Sequence, residues 1–284
     1  MTENKPDYVL GSSDHEIARL DAQSASIEAA TRLLLRAAGV GPGMRVLDLG
    51  TGIGHVAMLA AELVGSEGQV VGIDTSAKLL DVASTRATGH PQVRFVHGDV
   101  RTWRDEKPFD AIVGRLILFH LPDAVAVLKH HLAALRPGGL LLALDFDLGS
   151  SRAEPALPWF AELLGWVNAA FRAAGASPAI GTQLALLLAE AGLADVQSFG
   201  VQVYLGPDDP RGPALLSGVV RTLAPQIVAA GLATHEQLGV DTLTQRLATA
   251  VQTSRSVVLP PRWLAPGGVG ADPVVCSTVI EGAA

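Results

Sequence analysis

Apolar side chains along the chain recur at two spacings. From Ser13-Asp14-His15-Glu16, which reads as a capping box, to Gly39 the spacing is helical, and the glycine closes the pattern. Short apolar runs then follow at 45–49, 69–73, 92–96, 109–113 and 140–144. Each has the length of a buried strand. Helical patterns at 55–64, 76–87 and 122–135 separate them, the last with Pro122 in its first turn, where a missing N–H costs nothing. Buried strands alternating with helices across glycine turns predict a doubly wound, mostly parallel α/β sheet with helices on both faces. Further on, 157–174 and 180–191 read as helices, 196–205 as a long strand, 207–253 as helical, and 256–259 as a short last strand. Pro260-Pro261 and Pro266-Gly267-Gly268 predict an irregular tail. No linker composition divides the chain. The pattern predicts one domain: a helical cap over 1–40, a core over 41–205, a helical insertion over 206–256, and a last strand and tail over 257–284.

Composition narrows the class. With 284 residues, 49% hydrophobic and 17% charged, the chain has ample material for a large core. Its net charge of −7 repels phosphate backbones and argues against nucleic acid. No apolar run approaches the ~20 residues of a membrane helix; Gln183 and Glu190 break the most apolar stretch. The first seven residues are polar and lack a signal-peptide core, so a cytoplasmic location is expected. Cys276 is the single cysteine, which excludes an internal disulfide and a multi-cysteine zinc site.

The densest chemistry lies in Val46-Leu47-Asp48-Leu49-Gly50-Thr51-Gly52-Ile53-Gly54. An apolar strand runs into three glycines at alternate positions and then into a helix, whose first N–H groups have no partner within it. Without Cβ atoms such a loop turns tightly and lets a ligand approach the backbone. A dinucleotide fingerprint needs a glycine where His55 stands, so a nicotinamide cofactor is disfavoured. Strand-end acids follow in Val70-Val71-Gly72-Ile73-Asp74 and Val93-Arg94-Phe95-Val96-His97-Gly98-Asp99-Val100. A strand-end aspartate by itself is often a helix cap. Two on consecutive strands place carboxylates along one crevice.

From Asp48 to Gly54, and through Asp74, Asp99, Phe109-Asp110-Ala111-Ile112-Val113 and Leu135-Arg136-Pro137-Gly138-Gly139, the chain resembles the Rossmann-like (class I) S-adenosylmethionine-dependent methyltransferases, in particular bacterial enzymes acting on small molecules. The resemblance spans 45–205 and, more loosely, 8–38. It implies S-adenosylmethionine as cofactor, held by Asp48, Gly50, Thr51, Gly52, Gly54, Asp74, Thr75, Asp99, Val100 and Arg115. Asp74 would take the ribose hydroxyls, Asp99 the adenine amino group, and Val100 would pack on the ring. It also implies that the N-terminal helix closes over the cofactor, bringing Tyr8 and Gln23 to the methionine arm. Ordinary packing is the competing reading for both residues. Across 257–271 the sequence departs from the final strand expected of the family.

Methyl transfer is an in-line displacement from an activated sulfonium, so alignment supplies much of the catalysis. His120 is the candidate base; its other reading is a structural histidine at the start of the next helix. Arg115 either pairs with a carboxylate or is solvated. His130 and His131 are adjacent on a helix and make no metal pair, and no metal site is expected. Trp159, Phe160, Leu163, Trp166 and Val167 form an apolar stripe that reads either as core or as the roof of an acceptor pocket, with Trp159 and Trp166 as its lining. The acceptor would then be a small apolar or aromatic molecule, of the kind found in biosynthetic pathways. The chain lacks the Pro-Pro-aromatic stretch after strand four that amino-base methyltransferases carry; Gly114-Arg115-Leu116-Ile117 stands there. The alternative is a protein of the same fold that binds the cofactor but catalyses a non-methylating step such as cyclisation. Whether the chain forms a homodimer is not legible in the sequence.

Overall fold

A computed structural model describes residues 14–269. Tyr8, Ser13 and Cys276, and with them part of the expected capping box, lie outside the described residues. The first strands are β1 (Arg45–Leu49), β2 (Gln69–Asp74), β3 (Val93–His97), β4 (Phe109–Arg115) and β5 (Leu135–Asp147). They pair in parallel in the order β3-β2-β1-β4-β5. The helices among them are α1 (Asp14–Ala37), α2 (His55–Val64), α3 (Ala77–Arg86) and α4 (Ala124–Leu132). Successive strand residues point to opposite faces, and the core divides accordingly. Val46, Val70, Val113 and Leu142 pack with Leu35 of α1 and with Ala57 and Ala60 of α2. Leu47, Val71, Ile112 and Leu141 pack on the other face with Leu128 of α4. Leu163 of α5 (Pro158–Ala173) and Leu184 of α6 (Ile180–Ala191) join them there. The expected doubly wound sheet is therefore present.

Its far edge corrects the expectation. The segment 262–269, expected as irregular tail, forms a strand. The expected last strand, 256–259, does not enter the main sheet. Instead β6 (Arg152–Glu154) pairs with β8 (Val257–Leu259) in a separate two-stranded ribbon. The strand β9 (Arg262–Val269) runs antiparallel between β5 and β7 (Ala194–Val201), completing a seven-stranded sheet. Its Pro266 stands opposite Ser198 of β7, while the pairing to β5 runs on either side of it, at Leu264 and Gly267. Proline donates no ladder bond, and two flanking strands hold the segment extended all the same. From Gln202 the chain leaves the sheet, and Leu205 bridges to Val258, so β7 ends earlier than expected.

Other boundaries moved for local reasons. The Pro-Gly-Gly turn expected before strand five lies inside β5 as a bulge: Leu135 pairs with Phe109 and Leu140 with Ala111. Helix α4 starts at Ala124 because Asp123 caps it, its carboxylate accepting the Ala126 amide at 2.9 Å. Ahead of it, Leu118–His120 forms a single 3-10 turn. The expected helical insertion is present as α7 (Arg211–Ala229), the short α8 (His235–Leu238) and α9 (Leu243–Ser254). Helix α7 packs between α5 and α9.

Helix α6 meets β5 at Gly181, where an added Cβ would stand 2.7 Å from the Phe146 carbonyl carbon and 2.9 Å from the Asp147 nitrogen. Backbone on the strand side cannot yield as a side chain can. Gly181→Ala is expected to destabilise the fold by about 1–3 kcal/mol, the usual cost of overpacking. Urea denaturation measures this, and a variant as stable as the wild type would contradict the close approach.

Candidate functional site

The carboxyl ends of β1 to β5 open into one chamber of about 320 Å3. One end is polar. Beneath the glycine loop, Thr51 donates to Asp48 at 2.6 Å. Gly50, at φ +63°, passes so close to the turn after β4 that an added Cβ would meet Ile117 Cδ1 at 2.6 Å. The loop is pinned by Asp74 at the end of β2: its Oδ2 accepts the Gly52 amide at 2.8 Å and its Oδ1 the Ser76 amide at 2.9 Å. Burial raises the Asp74 pKa against those amides. Asp99, after β3, is clasped by the Arg101 side chain, which holds its pKa low. Val100, beside it, offers its carbonyl to His131 at 2.7 Å, while His130 bonds the Trp103 carbonyl. The two histidines thus fasten α4 to this loop.

Helix α1 walls the polar end through Arg19, Gln23 and Ser24. Arg115, at the end of β4, crosses to it and donates to Ser24 at 2.9 Å and Thr31 at 3.2 Å. Burial lowers the Arg115 pKa to about 10, countered by Asp48, so the group is a cation at neutral pH. Asp48 itself is fully buried, which raises its pKa to about 7. His55 Nε2 lies 2.9 Å from both Asp21 of α1 and Arg86 of α3 and bonds one of them at a time, donating to the first or accepting from the second. Arg86 also grips both Asp21 oxygens.

The other end is apolar. Phe119, Phe146, Phe160, Phe171 and Trp263 border it; the whole chain has seven phenylalanines and four tryptophans. Their rings meet edge to face in series: Phe119 lies 4.9 Å from His120, 5.4 Å from Phe146 and 4.8 Å from Phe171, and Phe146 lies 5.5 Å from Trp263. Leu215 and Val219 of α7 complete the wall. His120 stands where the two ends meet. Burial, reinforced by the Arg19 charge, lowers its pKa to about 4.

Of the residues singled out in the sequence, Gln23, Gly50, Thr51, Gly52, Asp74, Thr75, Asp99, Val100, Arg115 and His120 all border this chamber. Asp48 and Gly54 do not. They stand behind the loop, Asp48 under Thr51 and Gly54 against Ala83 and Phe95. Trp159 and Trp166 do not line it either. On α5 the chamber is faced by Phe160, Leu164, Val167 and Phe171, a stripe at helical spacing that leaves Trp159 turned to a neighbouring stack under Arg246 of α9. Trp263 and the α7 residues escaped the sequence reading, while Phe119 and Phe146 fell in the candidate stretches after strands four and five without a role of their own. A signal for Phe119 existed in its position beside His120, and one for Phe146 beside Asp145. None marked Trp263, which arrives on the unexpected strand β9. Among the described residues no cluster of three or more His, Cys, Asp or Glu is placed to hold a metal ion, and no helix is long and apolar enough to cross a membrane.

A family model described as "Methyltransferase domain" matches residues 46–139. The demethylmenaquinone methyltransferase of Staphylococcus aureus (strain MRSA252) is 32% identical over 126 residues, covering 44% of this chain and 50% of the relative. The trans-aconitate 2-methyltransferase of Azoarcus sp. (strain BH72) is 35% identical over 141 residues, covering 48% and 54%. The chain thus spans about half the length of these curated relatives. Among solved structures, the YcgJ protein from Bacillus subtilis superposes with a TM-score of 0.58 at 19% identity, over 87% of this chain and all of that one. That likeness is one of fold.

Asp145, near the end of β5, is buried and its pKa is raised to about 7 despite two amide donors. An unfolded aspartate releases its proton near 3.9, so between those values the folded state holds the extra proton and stability falls as pH rises. Asp145→Asn removes this contribution. Urea midpoints taken from pH 4 to 7.5 are expected to shift in the variant's favour as pH rises, then level off. A pH-independent gap between the two proteins would contradict the assignment.

Proposed function

We propose that this chain, a member through residues 46–139 of the class I (Rossmann-like) methyltransferases, transfers the methyl group of S-adenosylmethionine to a small, largely apolar acceptor. The observation that carries the reading is the continuity of one chamber from the Asp74 and Asp99 carboxylates to an aromatic wall, with His120 at the junction.

The residues fit the cofactor chemically. The Asp74 oxygens accept the amides of Gly52, Thr75 and Ser76, and a carboxylate, with about four lone-pair sites, has room for a further donor such as a ribose hydroxyl. A Cβ at Gly52 would meet nothing within 4 Å, so that side of the loop is open to a ligand. Arg115 is a buried cation suited to a carboxylate, and Asp99, whose oxygens the Arg101 amide and side chain engage, would exchange such a donor for a ligand's. When bound, S-adenosylmethionine supplies a methyl group already activated by its sulfonium. The chain's part is to align the acceptor, exclude water and take a proton. At the acceptor end Arg211 is committed to Asp209 through paired bonds, Thr222 donates to the Gly218 carbonyl and Ser151 to the Leu259 carbonyl. A polycarboxylate would find little to pair with there, whereas an uncharged ring would bury its faces.

Asp74→Ala is expected to weaken binding of S-adenosylmethionine at least ~tenfold, the loss of one charged hydrogen bond or more; calorimetry giving wild-type affinity would remove Asp74 from this role. The activity itself is tested by incubating the cofactor with neutral phenols and naphthols and measuring S-adenosylhomocysteine. Product formation supports methyl transfer. A cofactor that binds and is never consumed favours the non-methylating alternative, and stabilisation by NADH alone overturns the family reading.

His120 at a pKa of about 4 is neutral at physiological pH and ready to accept a proton, though as a weak base. If it takes the acceptor's proton, kcat should be flat above about pH 5 and fall on the acid side as the imidazole charges, with the limb near 4 and not near the free value of about 6.5. His120→Ala should keep cofactor affinity within about twofold and lower kcat by roughly 100-fold. Near-normal kcat in the variant would leave alignment as the whole mechanism.

A further inference from the structure

We propose that Asp145 is a positioning residue of the acceptor site, its one carboxylate fixing the backbone of both Phe119 and Phe146 so that their rings form a single wall for an aromatic acceptor. This rests on the methyltransferase reading of the chamber and adds a residue to it.

Asp145 is 1% exposed and does not itself border the chamber. Its Oδ2 accepts the Phe119 amide at 3.1 Å and its Oδ1 the Phe146 amide at 3.0 Å. The Phe119 amide lies 26 residues before Asp145 in the chain. Phe119 sits in the 3-10 turn Leu118–His120, beyond the end of β4, so no strand ladder supplies an acceptor for its N–H. Both rings line the chamber, 5.4 Å apart and edge to face, with His120 next in the series. A carboxylate is the side chain that offers an acceptor to both amides at once. Asparagine keeps the shape but turns one end into a donor facing an N–H. An apolar residue would satisfy neither amide. Burying an ionisable group is a costly way to fill a core, and its use here is explained by what it holds in register.

The probe is 2-naphthol, a neutral fused ring, titrated calorimetrically at about pH 8, where Asp145 is ionised, with S-adenosylhomocysteine present. Asp145→Asn should bind S-adenosylhomocysteine within about twofold of wild type yet lose roughly tenfold in naphthol affinity, the effect of leaving one buried amide unmet. In a Phe119→Ala/Phe146→Ala background, where both rings of the wall are gone, the same substitution should change naphthol affinity by less than about twofold, because carboxylate and rings act as one unit. Wild-type naphthol affinity in Asp145→Asn, or a tenfold loss that persists without both rings, overturns the proposal. Phe119→Ala and Phe146→Ala, which keep the carboxylate, serve if Asp145→Asn does not fold: each should weaken naphthol binding, and indifference of either one overturns the shared wall. Wild-type protein that binds no S-adenosylhomocysteine would overturn the methyltransferase reading itself, and with it an acceptor role for Asp145.

Discussion

A buried cation organises the polar half of this molecule. Arg115 leaves the end of β4, passes behind the glycine loop and ends on two hydroxyls of α1. A guanidinium taken out of water must be given acceptors and opposite charge. Ser24 and Thr31 provide the first, and Asp48 beneath the loop provides the second. Three separate pieces of chain are thereby fixed relative to one another: the cap helix, the loop and the strand end. Removing one acceptor would leave a buried guanidinium less well compensated, so the cap is part of the sheet's electrostatics as well as its cover.

The opposite half is organised by shape. Phe119, Phe146, Phe171 and Trp263 come from four different elements and meet at ring edges, the arrangement that the aromatic quadrupole favours. Asp74, Asp99 and Arg115 stand in one half and the rings in the other, where the charge of Arg211 is taken up by Asp209, with a weakly basic imidazole between them. The division suits a reaction in which a cation is held on one side and a neutral partner is delivered from the other.

Much of the polar half was legible in the sequence, because its chemistry is local. The glycine loop, Asp74, Asp99 and Arg115 each sit at the end of an apolar run, and strand ends in a parallel sheet share one crevice. The apolar half was less legible. On α5 the sequence presents Trp159 and Phe160 side by side, and only packing decides which of two stripes about 100° apart faces the chamber. β9 was missed because Pro266, Gly267 and Gly268 carry turn signals, while their extended form comes from partners on both sides, one of them more than 100 residues away in sequence. Asp145 and Phe146 lie just after the strand predicted over 140–144, but nothing local tells that the carboxylate reaches back to Phe119.

The place of β9 also orders the assembly of the protein. The five parallel strands and the helices among them are complete in sequence by Asp147, and each joins a neighbour already made. β7 is different: it touches the main sheet through β9, which is synthesised some 60 residues later. A nascent chain that has emerged through α6 can build the glycine loop and the strand-end acids, yet its β5 still carries an open edge. Trp263 arrives on the strand that closes that edge. The polar half of the chamber can therefore form early on the ribosome, and the aromatic half waits for β9 and Trp263, keeping an exposed sheet edge in the growing chain until then.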